Sequence, residues 1–250
     1  RRRPSNWRIV MPRVLISDKM ELPGLEILRN AGIELDERPG LKGEELKAAL
    51  RLADGVVVRS GTRITADLIE NPGKLRAIVR GGVGVDNIDV AAATRKGIVV
   101  MNTPDANTFS TAEHTISLLM SMARHVPAAD ASMRAGKWEK SKFLGCQLTG
   151  KTLGVLGLGR IGREVARRAA NGLDMKVVGY DPVLAPTAAA QLGIESFASV
   201  DEILPKCDFI TVHTPLTEQT KDMIGAKQVA LLPKGARVIN CARGGIINEQ

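Results

Sequence analysis

Gly157-Leu158-Gly159-Arg160-Ile161-Gly162 follows an apolar run, Thr152 to Leu156, and opens a segment with apolar residues at helical spacing. Asp181 closes the next apolar run, 19 positions after the last of these glycines. A turn of this kind can hold a dinucleotide. Gly157 permits the tight turn, Gly159 lets backbone approach a pyrophosphate, and Gly162 lets the following helix pack close to the strand. The first amides of that helix and its positive dipole end are suited to phosphate. A carboxylate at Asp181 can accept both hydroxyls of an adenosine ribose and repels a 2′-phosphate, so NAD is expected rather than NADP. The second candidate for chemistry is Arg243, after the apolar run ending at Asn240 and followed by Gly244-Gly245. A guanidinium there can grip a carboxylate bidentately and polarise an adjacent carbonyl. Position alone equally allows an arginine salt-bridged on the surface.

These residues require a framework of strands and helices, and the hydrophobic pattern supplies one. Residues 14–17, 55–58, 75–79 and 98–101 read as short buried strands, with helices at 24–31, 43–52 and 90–96 and a further short helix capped by Thr65 and stopped by Pro72-Gly73. Ser110-Thr111-Ala112-Glu113 reads as a capping box before a long apolar helix carrying Ile116, Leu118, Leu119, Met120 and Met122, which is expected to cross between two domains. Pro127 marks its bend or stop, and Gly136 ends a further helix. Beyond the glycine-rich turn come helices at 160–171, 186–192 and 200–204 and strands at 176–181, 209–213 and 236–240. Apolar strands alternating with helices imply an α/β fold of parallel sheets covered on both faces.

The expected organisation is an extra N-terminal segment at 1–12, a substrate domain at 13–107 and a nucleotide domain at 108–250. Ligands of such sheets bind beyond the carboxyl ends of the strands. The loops there are Arg59-Ser60, Arg80-Gly81-Gly82, Asn102 to Asn107, Gly157 to Gly162, Thr214-Pro215-Leu216 and Cys241 to Gly245. They are expected to line one cleft between the domains.

Composition narrows the class. Apolar content of 44% and charged content of 25% are ordinary for a globular protein. No apolar run is long enough for a membrane span and none resembles a signal segment, so the cytoplasm is the expected compartment and no membrane partner is expected. Cys146, Cys207 and Cys241 are too scattered for a disulfide framework or a zinc site, and no metal is expected. Of the net charge of +8, four positive charges come from Arg1, Arg2, Arg3 and Arg8, ahead of Met11. That segment reads as upstream sequence foreign to the fold, the alternative being a basic tail touching nucleic acid or a remnant of a transit peptide. The rest carries +4, which suits an anionic small-molecule substrate and gives no reason to expect nucleic acid.

Gly-Leu-Gly-Arg-Ile-Gly162 with Asp181, Val212-His213-Thr214-Pro215-Leu216 and Asn240-Cys241-Ala242-Arg243-Gly244-Gly245 resemble the motifs of the D-isomer-specific 2-hydroxyacid dehydrogenases. The resemblance extends through Val58-Arg-Ser-Gly-Thr62, Gly84-Val-Asp-Asn-Ile-Asp89, Met101-Asn-Thr-Pro104 and Gly136-Lys-Trp138. It implies two doubly wound parallel-sheet domains, a flavodoxin-like substrate domain and a Rossmann NAD-binding domain. It further implies that Arg160 and Ile161 contact the pyrophosphate, that Thr214, Pro215, Cys241, Ala242 and Arg243 line the nicotinamide side, and that Val83 approaches the cofactor. Arg59, Ser60, Arg80, Gly82 and Asn107 become candidates to hold the phosphate and carboxylate of the substrate; solvent-facing loop arginines are the alternative.

The implied reaction is NAD-dependent hydride transfer from C2 of 3-phospho-D-glycerate, giving 3-phosphohydroxypyruvate, the first step of L-serine synthesis, in a homo-oligomer. A glyoxylate, hydroxypyruvate or D-lactate reductase is the alternative within the family. An NADH-sensing corepressor-type binding protein is the alternative from another class. In the family a histidine oriented by a glutamate takes the proton, and both lie downstream of the Arg243 motif. His114, His125 and His213 match neither position: His114 is expected as a packed helix residue, His125 in contact with a helix end, and His213 as a support of the fold. The expectation is therefore a partial sequence of a longer enzyme, with the nucleotide domain incomplete and the fragment itself inactive.

Overall fold

Short apolar runs build the two sheets of the computed structural model, which describes residues 11–250. The expectation for the N-terminal segment falls largely on residues 1–10, outside the described residues. The chain divides after Ala106 into two compact units.

In the first unit the order is β1 (Arg13–Ile16), α1 (Leu22–Asn30), β2 (Glu34–Glu37), α2 (Gly43–Leu52), β3 (Gly55–Val58), β4 (Ala77–Arg80), α3 (Val90–Arg95) and β5 (Val99–Asn102). Its five strands are all parallel and lie in the order β2-β1-β3-β4-β5. This is the flavodoxin-like order, and the sheet reverses direction between β1 and β3. Leu15, Leu50, Val56, Ile64, Ile69 and Ile78 are buried in its core. β3 is buried along its whole length, as a central parallel strand must be.

The second unit runs α4 (Thr108–Ala123), α5 (Val126–Arg134), β6 (Thr152–Leu156), α6 (Arg160–Leu173), β7 (Lys176–Tyr180), α7 (Pro186–Gln191), β8 (Glu195–Ser196), α8 (Val200–Ile203), β9 (Phe209–Val212), α9 (Ala226–Val229) and β10 (Arg237–Asn240). Its parallel sheet has the order β10-β9-β6-β7-β8, the arrangement of a Rossmann sheet, with the reversal between β6 and β9. The middle of β6 is packed tightly. A Cβ on Gly154 would lie 2.6 Å from Ile210 Cδ1 and 2.7 Å from the Sγ of the fully buried Cys207. α4 packs on α6, and Arg168 of α6 pairs with both Glu164 and Glu113. Arg167 first, and then Arg168, hold Glu164 down to about 2 against the opposing effect of burial.

Four local expectations are corrected. Residues 65–70 form a run of turns and no helix: Leu68, Ile69 and Glu70 bond back three residues, while Thr65 Oγ1 bonds Asp67 Oδ1. Ser110 to Glu113 form no capping box, because α4 already begins at Thr108. There Ser110 Oγ donates to the Asn107 carbonyl at 3.2 Å, inside the first turn. α4, expected to cross between domains, lies wholly in the second unit. The strands β2 and β8 and the short helix α9 were absent from the pattern. No helix among the described residues is long and apolar enough to cross a membrane.

Candidate cofactor and anion sites

At the end of β6 the chain turns at Gly157 with φ +96, a conformation that favours glycine. Its amide donates to the Tyr180 carbonyl at 2.8 Å, and a Cβ there would lie 2.8 Å from the backbone of His213. The turn is thus wedged between the ends of β7 and β9, at the sheet reversal. Gly162 seats α6 on the turn, since a Cβ would run into the Gly157 carbonyl. Gly159 faces open space, and no side chain caps the first turn of α6. Backbone amides and room for an anion therefore coincide at Gly159, Arg160 and Ile161.

Asp181 has more than one task. Its Oδ2 accepts the Leu158 amide at 2.8 Å, and its Oδ1 accepts the amides of Val183 and Leu184 at 2.8 and 3.1 Å. A carboxylate offers roughly four acceptor positions. Three are engaged in bracing the glycine turn and the turn after β7, so the uncommitted position lies on Oδ2. The sequence pattern shows the ribose-binding capacity and misses the brace.

After β9, Thr214 is 7% exposed and its Oγ1 is buried with no partner among the described residues. A buried hydroxyl with no partner, an open Gly159 and an uncapped helix start fit a bound dinucleotide. The neighbouring His213 is partly buried, with Nε2 3.0 Å from Thr211 Oγ1, and desolvation of the ring lowers its pKa to about 4. It is uncharged at neutral pH.

The loop after β10 is shaped by one side chain. Asn240 Oδ1 accepts the Ala242 amide at 2.9 Å while its Nδ2 donates to the Arg243 carbonyl at 2.8 Å. Arg243 Nη1 donates to the Ala242 carbonyl at 2.8 Å. Cys241, Ala242 and Arg243 line a cavity of about 590 Å³ together with Ser110, Thr111, His114 and Glu249. His114 is corrected here: it is exposed and lines the cavity, because Ala112 and Thr115 take the packed face of α4. His125 has φ 54 and joins α4 to α5. Asn107 precedes α4, its Oδ1 buried without a partner among the described residues.

The first unit carries the other arginines. Val58 and Arg80 are register partners on β3 and β4, so Arg59 and Arg80 leave adjacent strand ends. Arg59 is exposed, and its Cγ lies 3.5 Å from where a Gly81 Cβ would sit. The Arg80 guanidinium occupies the space a Gly82 side chain would need, and its Nε is buried with no partner among the described residues. The two glycines thus leave room for the aliphatic stem of Arg59 at Gly81 and for the Arg80 guanidinium at Gly82. Asn102 Nδ2 donates to the Val83 carbonyl at 2.6 Å and fixes the far end of that loop. Ser60 is exposed beside Arg59. Among the described residues no group of three or more His, Cys, Asp or Glu could hold a metal ion.

Residues 116–250 match the model of the D-isomer specific 2-hydroxyacid dehydrogenase, NAD binding domain. Over 237 residues the chain is 50% identical to D-3-phosphoglycerate dehydrogenase of Homo sapiens, covering 95% of this chain and 44% of that protein. Over 240 residues it is 47% identical to D-3-phosphoglycerate dehydrogenase of Methanocaldococcus jannaschii, covering 96% and 45%. Among solved structures it is similar to the TT0316 protein of Thermus thermophilus, with a TM-score of 0.86 and 34% identity over 94% of this chain and 75% of that one. The chain spans less than half the length of the curated relatives it matches.

Proposed function

The chain belongs to the D-isomer specific 2-hydroxyacid dehydrogenase family, and from that premise we propose that it carries the NAD-binding and anion-binding parts of an enzyme that oxidises 3-phospho-D-glycerate at C2. Two observations support this reading: its identity to D-3-phosphoglycerate dehydrogenases, and the pair of arginines beside Gly81 and Gly82. The arginine pair carries the choice of a phosphorylated substrate, because two guanidiniums suit an anion of more than one charge better than a neutral hydroxy acid.

Gly157, Gly159 and Gly162 with Arg160 and Ile161 hold the pyrophosphate, Asp181 a ribose hydroxyl, and Thr214 with Pro215, Cys241 and Ala242 the nicotinamide side. Bound NAD supplies the acceptor for the hydride leaving C2. Arg243 grips the carboxylate and draws electron density toward the C2 oxygen as the carbonyl forms. Arg59 and Arg80, with Ser60, Gly82 and Asn107, take the anionic ends of the substrate. The hydroxyl proton leaves C2–O–H for a general base as the hydride departs. His213, lowered to about 4, is a poor acceptor at neutral pH. The protein is further proposed to act as a homo-oligomer, supported by the exposed apolar side chains around α5.

Substrate profiling of the protein tests the reading. Arg59→Ala and Arg80→Ala should each raise KM for 3-phospho-D-glycerate by roughly tenfold or more while leaving KM for an unphosphorylated 2-hydroxy acid within about twofold. A wild-type preference for the unphosphorylated acid would overturn it.

A further inference from the structure

The tetrapeptide Arg59 to Thr62 is held from both sides by two residues outside it. On the amide side, Asp18 Oδ2 accepts the Arg59 amide at 2.5 Å and the Thr62 amide at 3.1 Å. On the carbonyl side, Asn87 Nδ2 donates one hydrogen to the Arg59 carbonyl at 2.8 Å and the other to the Thr62 carbonyl at 2.6 Å. Ser17 adds a third tie through Thr62, whose Oγ1 donates to the Ser17 carbonyl at 3.1 Å and lies 2.9 Å from Ser17 Oγ. Arg59 itself reaches back, Nη1 donating to the Lys19 carbonyl at 3.3 Å. Asn87 is fixed in turn, since its own carbonyl accepts the Ile64 amide and Ile64 and Ile88 form a parallel bridge.

We propose that Asp18 and Asn87 are positioning residues that hold Arg59 for the anionic end of the substrate. This rests on the reading above that Arg59 binds that end. A carboxylate beside an anion-binding arginine opposes the anion by its charge, so Asp18 is useful there for its geometry. A single oxygen accepting two amides that are three residues apart closes the loop into one shape. Asn87 holds the same two residues by their carbonyls, with its own Oδ1 left buried without a partner among the described residues. A loop so fixed loses little freedom when an anion binds, and freedom lost on binding subtracts directly from affinity. The acceptor Asp18 comes from the loop after β1 and the donor Asn87 from the loop after β4, and these flank the loop after β3 at the reversal of the first sheet. A substrate-binding arginine on a freely moving loop would need neither.

Calorimetric titration of the chain with 3-phospho-D-glycerate, and separately with NAD, tests the proposal. Asp18→Ala and Asn87→Ala should each weaken 3-phospho-D-glycerate roughly tenfold, about the loss expected when a bidentate backbone tie is removed. Asp18→Asn retains an oxygen that can accept both amides and should restore affinity to within about threefold of wild type. NAD affinity should not change in any variant, because the glycine-rich turn lies in the other unit. Unchanged affinity for 3-phospho-D-glycerate in both alanine variants would overturn the positioning role while leaving the substrate reading intact. An equal loss of NAD affinity would overturn it as well, by marking a general loss of structure. If the wild type does not bind 3-phospho-D-glycerate, the substrate reading falls first and the positioning role with it. Should Asp18→Ala fail to fold, Asn87→Ala and Asp18→Asn still decide the matter.

Discussion

His213 shows how desolvation decides what a residue can do. Its ring is held against Thr211 and its pKa lies at about 4, against an ordinary value of 6.5. In the unfolded chain the ring returns to its ordinary value. Between the two, acid protonates the unfolded state and leaves the folded state neutral. Stability is therefore full above pH 6.5 and falls as pH drops toward 4, by about 3 kcal/mol in all. His213→Gln retains a group able to meet Thr211 and removes the titration, so the melting temperature should lose much of its pH dependence across that window. An undiminished slope in the variant would show that other groups are responsible. At this scale the sequence was most informative about Gly157, Gly162 and Arg243, whose neighbours announce a turn, a close approach and a strand end. It was least informative about the bracing bonds of Asp181, and about His114 and Asp18. Their partners are backbone amides or cavities formed by distant segments, and a local pattern contains no such information.

Among the elements, α6 was legible nearly to its ends because one face repeats small and apolar residues that must bury against the sheet. β2 was hidden for the opposite reason. Glu34, Asp36 and Glu37 give it no apolar run, and it exists because its backbone pairs with β1 while Arg13 and Arg38 neutralise Asp36. β8 has only two residues, too few for any period to show. The turns at 65–70 show that a capping residue without an apolar stripe long enough to bury does not make a helix. The junction of β6 and α6 has the least tolerance. Gly162→Ala forces a methyl group against the Gly157 carbonyl and 3.3 Å from Val155 Cγ1, so α6 must shift on the sheet. The expected cost is roughly 1–3 kcal/mol of stability by chemical denaturation. NAD affinity should fall with it, because the displaced amides are those proposed to meet the pyrophosphate. A variant with wild-type stability and NAD affinity would show that the close approach is not needed.

At the scale of the molecule, each unit has its own buried core and its own parallel sheet, and the two strand orders account for where the candidate residues collect. Trp138 and Leu144 are 79% and 77% exposed, Met133 lines the same cavity as Trp138, and Met133 and Val126 are about half-exposed. Exposed apolar side chains of this size favour burial against a partner. Trp138→Glu should therefore lower the mass measured by light scattering toward that of a single chain. A wild-type protein that already runs as a monomer would remove this account of the surface. The tight packing between β6 and β9 has one last consequence, for measurement. Cys207 is fully buried against Gly154, and burial pushes its thiol up to about 12, whereas Cys146 and Cys241 are only half-buried. An alkylating reagent in native buffer should consume the latter two first and reach Cys207 only when the sheet opens. The protein thus contains its own clock: the slow phase of thiol labelling records how often the nucleotide-binding unit comes apart, and the slowing of that phase by added NAD measures how far the cofactor holds it shut.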